Sequence, residues 1–254
     1  LPDIATRHLE IRRHARYAVL GPDVGEAEGG ELDVRPSSTW FALHGYGQTA
    51  PGFLRYFTVL DDGSRLLVAP EGLHRHYVDH DAGKVGASWM TSEDRLTDIA
   101  DYVAYLDRLH AHVTAGVAKV GGATEGSGHA SDSHPSSGDG PAGSQIVALG
   151  FSQGVHTLSR WLAFGSARID AAVFWGSHLP PDLDLEEHAE RYRDAGVHLV
   201  AGDEDPHFDD QAVSEAEGRL RAAGIPFETH RFGGGHRLDR EVLEKLAEVV
   251  LRSR

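Results

Sequence analysis

The stretch Leu149-Gly150-Phe151-Ser152-Gln153-Gly154 decides the fold of this chain. It reads Gly-x-Ser-x-Gly and completes an apolar run from Gln145 that is suited to a buried strand. Residues 155–164 then place apolar side chains at helical spacing and stop before a glycine. A strand, a sharp turn and a helix put the serine at a strained apex, where the first free N–H groups of the helix also point. The sequence therefore predicts a nucleophile beside an anion site.

The motif alone is weak evidence. In a chain with 30 glycines among 254 residues, the number of such matches expected by chance is roughly a quarter of one. Its simpler interpretation is a serine in a glycine-flanked turn. The partners of a catalytic serine therefore have to be found elsewhere in the chain.

Composition limits the classes of function. The 24 basic and 39 acidic side chains give a net charge of −15, which argues against a nucleic-acid surface and an anionic membrane surface. The chain has no cysteine, so disulfides and thiolate chemistry are excluded. Its acid-rich, lysine-poor character fits either a salty environment or codon bias. Nothing in the sequence defines the oligomeric state.

The sequence contains no visible targeting or membrane segment. No apolar run approaches the ~20 residues of a membrane span, and no signal-peptide core is visible near the N-terminus. We therefore expect a soluble protein, with a cytoplasmic location as the default. Leu1 is not an initiator methionine, so the native chain could begin earlier.

The rest of the chain predicts an α/β fold. Residues 7–20 alternate loosely and predict antiparallel strands at the N-terminus. From residue 39 onward, apolar strand-like runs alternate with amphipathic stretches, which predicts a doubly wound, mostly parallel sheet with helices on both faces. Predicted strands cover residues 39–43, 65–69, 145–149, 169–175 and 197–201. Predicted helices cover about 51–60, 155–164 and 210–223, and a last one has Leu238, Val242, Leu246 and Val249 on one stripe.

Residues 70–94 are predicted to be a long loop that contains Trp89 and Met90. Thr91 and Asp94 resemble a capping box that opens the next helix. No long helical segment lies between the strand that ends at Trp175 and the strand that follows it. We therefore expect no large lid over the site.

Residues 121–144 differ in composition from the rest of the chain. Seven of these 24 residues are glycine and six are serine, and none is Leu, Ile, Val, Met or aromatic. Such a segment buries too little apolar surface to offset its ordering entropy. We predict a flexible insertion at 121–144 within a single domain that spans residues 1–254.

Candidate catalytic residues follow several predicted strands. In wound sheets the carboxyl ends of the strands meet at one rim, and Ser152, Asp205 and His236 can all reach it. A serine hydroxyl needs a base to take its proton, and the base needs a carboxylate. The chain order Ser, acid, His is that of α/β-hydrolases.

Four blocks of sequence carry a family resemblance: Leu43–Gln48, Gly150–Gly154, Gly202–Pro206 and Gly235-His236. In their order and spacing they resemble the carboxylesterase, lysophospholipase and acyl-protein thioesterase family of α/β-hydrolases. The Ser-Gln pair and the Asp-Pro pair are the more specific features. The resemblance covers residues 39–236, which is most of the chain.

The resemblance implies that Ser152 is the nucleophile, Asp205 the acid and His236 the base, with the backbone N–H groups of Tyr46 and Gln153 as the oxyanion hole. It implies a carboxylesterase-type serine hydrolase that cleaves small-molecule esters or thioesters of short to medium acyl chains through an acyl-enzyme. No cofactor and no metal are expected. A lysophospholipase, an acyl-protein thioesterase, a peptidase and a non-catalytic binding protein on the same fold remain alternatives.

Two departures from the family leave substrate choice open. Val155 stands where the family often has glycine, and Tyr46 where it often has leucine. Four apolar residues that follow predicted strands could line an acyl pocket, although such side chains are more often part of a core: Trp89, Met90, Trp175 and Leu179.

Some polar residues compete for roles at the site. Asp203 lies in the same loop as Asp205 and is the alternative acid. His44 is interpreted as a structural histidine beneath the oxyanion loop, and His207 and His230 as surface or packing residues. A further group could hold a divalent cation, but a solvated polar loop is the simpler interpretation in a chain with 17 histidines; it comprises His74, His76, Asp79, His80 and Asp81.

Overall fold

The computed structural model describes residues 5–22, 36–120 and 144–252. The strands are β1 (Tyr17–Leu20), β2 (Ser38–Leu43), β3 (Arg65–Pro70), β4 (His74–Asp79), β5 (Lys84–Ser88), β6 (Gln145–Phe151), β7 (Ala171–Trp175), β8 (Val197–Gly202) and β9 (Phe227–Phe232). The helices are α1 (Ala50–Leu54), α2 (Arg95–Val120), α3 (Gln153–Phe164), α4 (Ala189–Asp194), α5 (Asp210–Ala222) and α6 (Arg240–Arg252), and a 3₁₀ turn (Arg55–Leu60) follows α1.

Seven strands form one sheet in the order β1-β3-β2-β6-β7-β8-β9. Edge strand β1 is antiparallel to β3, and the remaining pairs are parallel. The chain winds from β2 outward to β3 and then returns to β6 on the other side, so the strand order reverses between β2 and β6. In doubly wound sheets the binding crevice lies at the carboxyl ends of the strands at this reversal. The predicted fold is confirmed.

Each face of the sheet is covered by its own apolar core. Successive side chains of a strand point to opposite faces, so Phe41 and Leu43 join one core and Trp40 and Ala42 the other. Helices α2 to α5 contribute to the first core, and α1, the 3₁₀ turn and α6 to the second. Burial on both faces explains why the parallel strands read as nearly continuous apolar runs.

The predicted loop after Pro70 contains an antiparallel hairpin of β4 and β5. Its turn is closed by the Gly83 N–H, which donates to the His80 carbonyl, and Gly83 has the positive φ of 63° that this turn needs. The hairpin was not predicted because β4 is polar and largely exposed and β5 has only five residues, so neither carries the apolar signal of a buried strand.

The structure also differs from the predictions at three helices and at the N-terminus. Residues 5–16 lie outside any strand, so one edge strand stands where a ribbon was predicted. Before α2, the Thr91 N–H donates to the Asp98 carboxylate and not to that of Asp94. Helix α4 was not predicted. The buried stripe of α6 is rotated from the predicted one and consists of Leu243, Leu246, Ala247 and Val250.

One predicted segment falls almost wholly outside the described residues. Of the predicted insertion at 121–144, only Ser144 is described, and residues 23–35 are also outside. Between β7 and β8 the chain forms only the short helix α4, so the described part of the chain contains no large lid. None of its helices has the length and apolarity required to cross a membrane.

Candidate active site

Ser152 occupies the strained turn that its motif predicts. Its φ of 54° and ψ of −118° make it the one non-glycine residue with positive φ in the part of the chain that the structure describes. A Cβ at Gly154 would lie 2.2 Å from the Leu43 carbonyl oxygen, and a Cβ at Gly150 would lie 2.3 Å from the Gly154 oxygen. Only glycine fits at these two positions, and this tight packing maintains the strain at Ser152.

Asp205 and His236 form a hydrogen-bonded pair in the loops after β8 and β9. His236 Nδ1 lies 2.8 Å from Asp205 Oδ2. The second carboxylate oxygen of Asp205 accepts the His207 N–H at 2.8 Å, and Asp205 is only 4% exposed. The Asp205 carboxylate accepts a hydrogen bond from Nδ1–H, which leaves Nε2 of His236 available as a base.

The imidazole of His236 packs against residues next to Ser152. Its ring centroid lies 4.9 Å from that of Phe151. A Cβ at Gly176 would lie 3.4 Å from His236 Nδ1, and the preceding carbonyl, that of Trp175, accepts the Ser152 N–H. Among the described residues, no hydrogen bond joins the Ser152 hydroxyl to His236. Such contacts are often long in an unliganded site and tighten when substrate binds.

The alternative acid, Asp203, has a different environment. Its side chain is 54% exposed and lies 3.5 Å from Arg231 Nη1 at the surface. No contact links it to His236 in the described structure. Of the two acids in this loop, the structure pairs Asp205 with the histidine.

The loop after β2 lies against Ser152. A Cβ at Gly45 would lie 3.2 Å from Ser152 Cβ. The backbone N–H groups of Gly45, Gly47 and Gln48 are hydrogen-bonded, whereas that of Tyr46 has no acceptor among the described residues. The Gln153 N–H begins α3, so it has no acceptor within the helix. Two backbone donors are therefore available near the serine.

His44 supports this loop from beneath. It is fully buried, with Nδ1 2.7 Å from the Gly45 carbonyl oxygen, and its Nε2 accepts the Gly72 N–H at 2.9 Å. Burial lowers the pKa of His44, so the neutral imidazole donates from one nitrogen and accepts at the other. These contacts agree with its interpretation as a structural residue.

The side chain of Gln153 connects the turn to the chain that leaves the hairpin. Its Oε1 accepts the Trp89 N–H at 3.2 Å, and its Nε2 donates to the Met90 carbonyl at 3.1 Å. The Ser-Gln pair itself is the one feature of the sequence that points to this role. Gln153 thus fastens residues 89–90 beside Ser152.

Three of the four predicted pocket residues belong to the core. Trp89, Trp175 and Leu179 are at most 1% exposed. The Trp89 indole donates to the His44 carbonyl, and the Trp175 indole to that of Arg237. Because these side chains are packed and hydrogen-bonded inside the protein, they do not line an open pocket in this structure. Met90 alone is partly exposed.

His156 lies one helical turn after Ser152 and was not predicted. Its ring is 5.0 Å from that of His178, and its Nε2 lies 3.5 Å from the Ser177 hydroxyl. Burial first, and then the neighbouring His178 and Arg160, lower the pKa of His156 to about 4. The spacing of four residues, which places two side chains on one helix face, was the available signal.

The predicted polar cluster of residues 74–81 does not converge on one point. His74 pairs with Asp98 at 2.9 Å, and His80 packs on the ring of Tyr77. The Asp79 carboxylate accepts the Ala82 N–H at the hairpin turn. These separate contacts agree with a solvated polar segment.

The wound sheet, with a strained serine after β6 and a histidine–aspartate pair at the same rim, defines an α/β-hydrolase. The profile of the phospholipase/carboxylesterase family matches residues 33–252, and the chain belongs to that family. The resemblance seen in the sequence is thereby confirmed.

Solved structures show the same fold at low sequence identity. Acyl-protein thioesterase 2 of Zea mays is 17% identical, with a TM-score of 0.62 over 94% of this chain and 100% of that one. Esterase PE8 is 20% identical, with a TM-score of 0.61 over 93% of this chain and 97% of its own. SOBER1 of Arabidopsis thaliana is 16% identical, with a TM-score of 0.59 over 85% and 98%. No curated protein matches the sequence.

Proposed function

We propose that Ser152, Asp205 and His236 form the catalytic triad of this ester hydrolase. The observation that carries the proposal is the bond of 2.8 Å between His236 and the buried Asp205, at the rim where Ser152 is held in a strained turn. Family membership makes the protein a hydrolase of esters or thioesters. The geometry of the site supports the assignment of residues to steps.

In the proposed reaction, Ser152 Oγ attacks the carbonyl carbon while His236 Nε2 takes its proton. The imidazolium, stabilised by Asp205, then protonates the leaving alcohol or thiol, and an acyl-enzyme remains. Water, deprotonated by the same nitrogen, releases the acid and restores the serine. The N–H groups of Tyr46 and Gln153 would stabilise the oxyanion of both tetrahedral intermediates.

We propose esters or thioesters of short to medium acyl chains as substrates. Of the four apolar side chains expected at the pocket, only Met90 is partly exposed, while the others are occupied in the core. This supports a site with little apolar surface for a long acyl chain.

We also propose that residues 1–254 act as one domain, because strands from both ends of the chain, β1 and β9, join one sheet.

Labelling with a fluorophosphonate probe tests the nucleophile, because only an activated serine reacts with it. Ser152→Ala should abolish labelling and lower kcat by about 10⁶-fold. The matched control is Ser214→Ala, at an exposed position of α5, which should label like the wild type. Labelling of Ser152→Ala, or a loss of activity below tenfold, would contradict the assignment. Absence of labelling in the wild type would favour a binding protein.

Kinetics on p-nitrophenyl esters from acetate to palmitate, beside matched thioesters and peptides, test the substrate class. We expect kcat/KM to be highest for short or medium chains and to fall for palmitate. A maximum at palmitate would instead indicate a lipid-type substrate, and turnover of peptides alone would indicate a peptidase.

A further inference from the structure

Three potential metal ligands converge on strands β8 and β9, away from the proposed triad. His198 lies opposite Glu228 in the parallel register, and Val200 lies opposite His230. Residues two apart on a strand share a face, so all three side chains are on one side of the sheet. His198 Nδ1 lies 3.1 Å from His230 Nε2, and both nitrogens face Glu228 Oε2, at 3.9 and 3.8 Å.

The dimensions of this triangle match a transition-metal site. The centre of the circle through the three atoms lies about 2.1 Å from each of them, which is the length of zinc–nitrogen and zinc–oxygen bonds in proteins. An ion at that point would contact all three ligands with little movement. A water molecule above the plane would supply the fourth ligand of a tetrahedral site. No other group of three histidine or carboxylate ligands within such distances occurs among the described residues.

The chemistry of the three groups also suits such an ion. Burial lowers the pKa of His198 and of His230, and the neutral imidazole is the form that offers a lone pair to a metal ion. Two imidazoles and one carboxylate favour zinc, cobalt or nickel, whereas magnesium and calcium prefer oxygen ligands. His198 is 3% exposed, so its imidazole is fixed by the core.

The site has a path to solvent. His230 lines a cleft of about 450 Å³ between β9 and α6. The cleft also contains charged residues of both signs: Arg231, Asp239, Glu241 and Lys245. Glu228 is exposed and can adjust by the few tenths of an ångström that a tetrahedral site requires.

We propose that His198, Glu228 and His230 bind one divalent transition-metal ion of the zinc class and thereby link β8 to β9. These are the strands that lead to Asp205 and His236, but the ligands lie six or more residues before them. The ion would therefore stabilise the two strands that lead to the proposed acid and base, without taking part in the reaction. This inference is independent of the proposed triad.

Cobalt titration of the metal-free protein, at a pH near 7, provides the direct test. A three-ligand site should give a saturable visible spectrum at one equivalent, and zinc should displace it. Because the ion binds only the folded state, it should also raise the thermal stability of the protein. At a free zinc concentration about 100-fold above a micromolar Kd, Tm should rise by about 5 °C or more. Magnesium at the same concentration should change neither signal.

Variants assign the ligands. His230→Gln should weaken cobalt binding by about 100-fold and Glu228→Gln by about tenfold, because each removes one ligand. The exposed position of Glu228 keeps the second variant folded even if the first is unstable. His112→Gln, at an exposed histidine of α2, is the matched control and should bind like the wild type.

Three results would overturn the proposal. One is the absence of a saturable spectrum; another is unchanged affinity in both ligand variants, which would place binding at other histidines. The third is a loss of stability in metal-free His230→Gln without any metal effect on the wild type. That result would show that the pair of imidazoles is only a hydrogen bond within the sheet.

Discussion

The rim of the sheet and the β4–β5 hairpin are neighbours that are built in opposite ways. At the rim, Ser152, Asp205 and His236 follow strands that are buried or paired within the main sheet, and Asp205 is fixed by two hydrogen bonds. In the hairpin, β4 is largely exposed and only the second half of β5 is buried, with Tyr77 55% and Val85 41% exposed. The proposed chemistry thus rests on the buried strands of the main sheet, and a more exposed surface lies beside it.

The two regions touch through backbone groups. Gly47 donates its N–H to the Ala87 carbonyl, and Ala87 donates to that of Gln48, which forms an isolated bridge between the loop after β2 and β5. An isolated hairpin is marginally stable, so this one depends on the rim for its position. We therefore expect changes at the rim to abolish turnover, and changes at the junction with the hairpin to alter substrate binding first.

After the loss of Ser152, the largest expected effect separates the two acids of the rim loop. Asp205→Asn should lower kcat by about 10⁴-fold, because an amide cannot hold the His236 tautomer or stabilise its imidazolium. Asp203→Asn, at the exposed position next to Arg231, should retain activity within about twofold. Steady-state kinetics on one ester measure both. The reverse order of effects would move the acid to Asp203.

The second effect tests how rigid the rim is. Gly154→Ala would place a Cβ 2.2 Å from the Leu43 oxygen and should lower the free energy of unfolding by about 3 kcal/mol. Gly218→Ala in α5 meets no atom within 4 Å and should raise the free energy of unfolding by about 0.5–1 kcal/mol. Urea denaturation compares the pair. Equal stability of the two variants would show that the turn at Ser152 can relax to accommodate a side chain.

The third effect concerns the side chain of Gln153, which connects the rim to the residues that follow the hairpin. Gln153→Ala removes both hydrogen bonds to residues 89–90 and should cost about 2 kcal/mol of stability. It keeps the backbone N–H of the proposed oxyanion hole, so KM should rise while kcat changes only a few fold. Gln211→Ala on the exposed face of α5 is the control. A fall in kcat with unchanged KM would place the side chain in the reaction itself.

The smallest effect concerns acid stability near Ser152. The pKa of His156 is about 4 in the folded protein, below its ordinary value near 6.5. Between these values the unfolded chain binds more protons, so this residue makes the free energy of unfolding decrease as pH falls from 6.5 towards 4. In His156→Gln that contribution is absent. Urea denaturation at pH 8 and at pH 5 measures the stability of both proteins. On going from pH 8 to pH 5, the wild type should lose more stability than the variant. An equal loss in both proteins would contradict this prediction.

The sequence predicted the wound sheet and the order of the three proposed catalytic residues because these depend on local patterns. A buried parallel strand reads as an apolar run, and the close contacts at Gly150 and Gly154 admit no side chain. The family resemblance added the oxyanion residues. The hairpin was missed because β4 is exposed and polar and β5 is short. Helix α4 was missed because six residues are too few to show a helical period.

What only the tertiary structure decided are contacts between side chains that lie far apart in the chain. It paired Asp205 with His236, took Trp89, Trp175 and Leu179 into the core, and brought His198 beside His230, which is interpreted from the sequence as a surface or packing residue. The local pattern indicates where a strand or helix lies along the chain. Burial and pairing across the sheet depend on the register between strands, and that register is set by the packing of the whole domain.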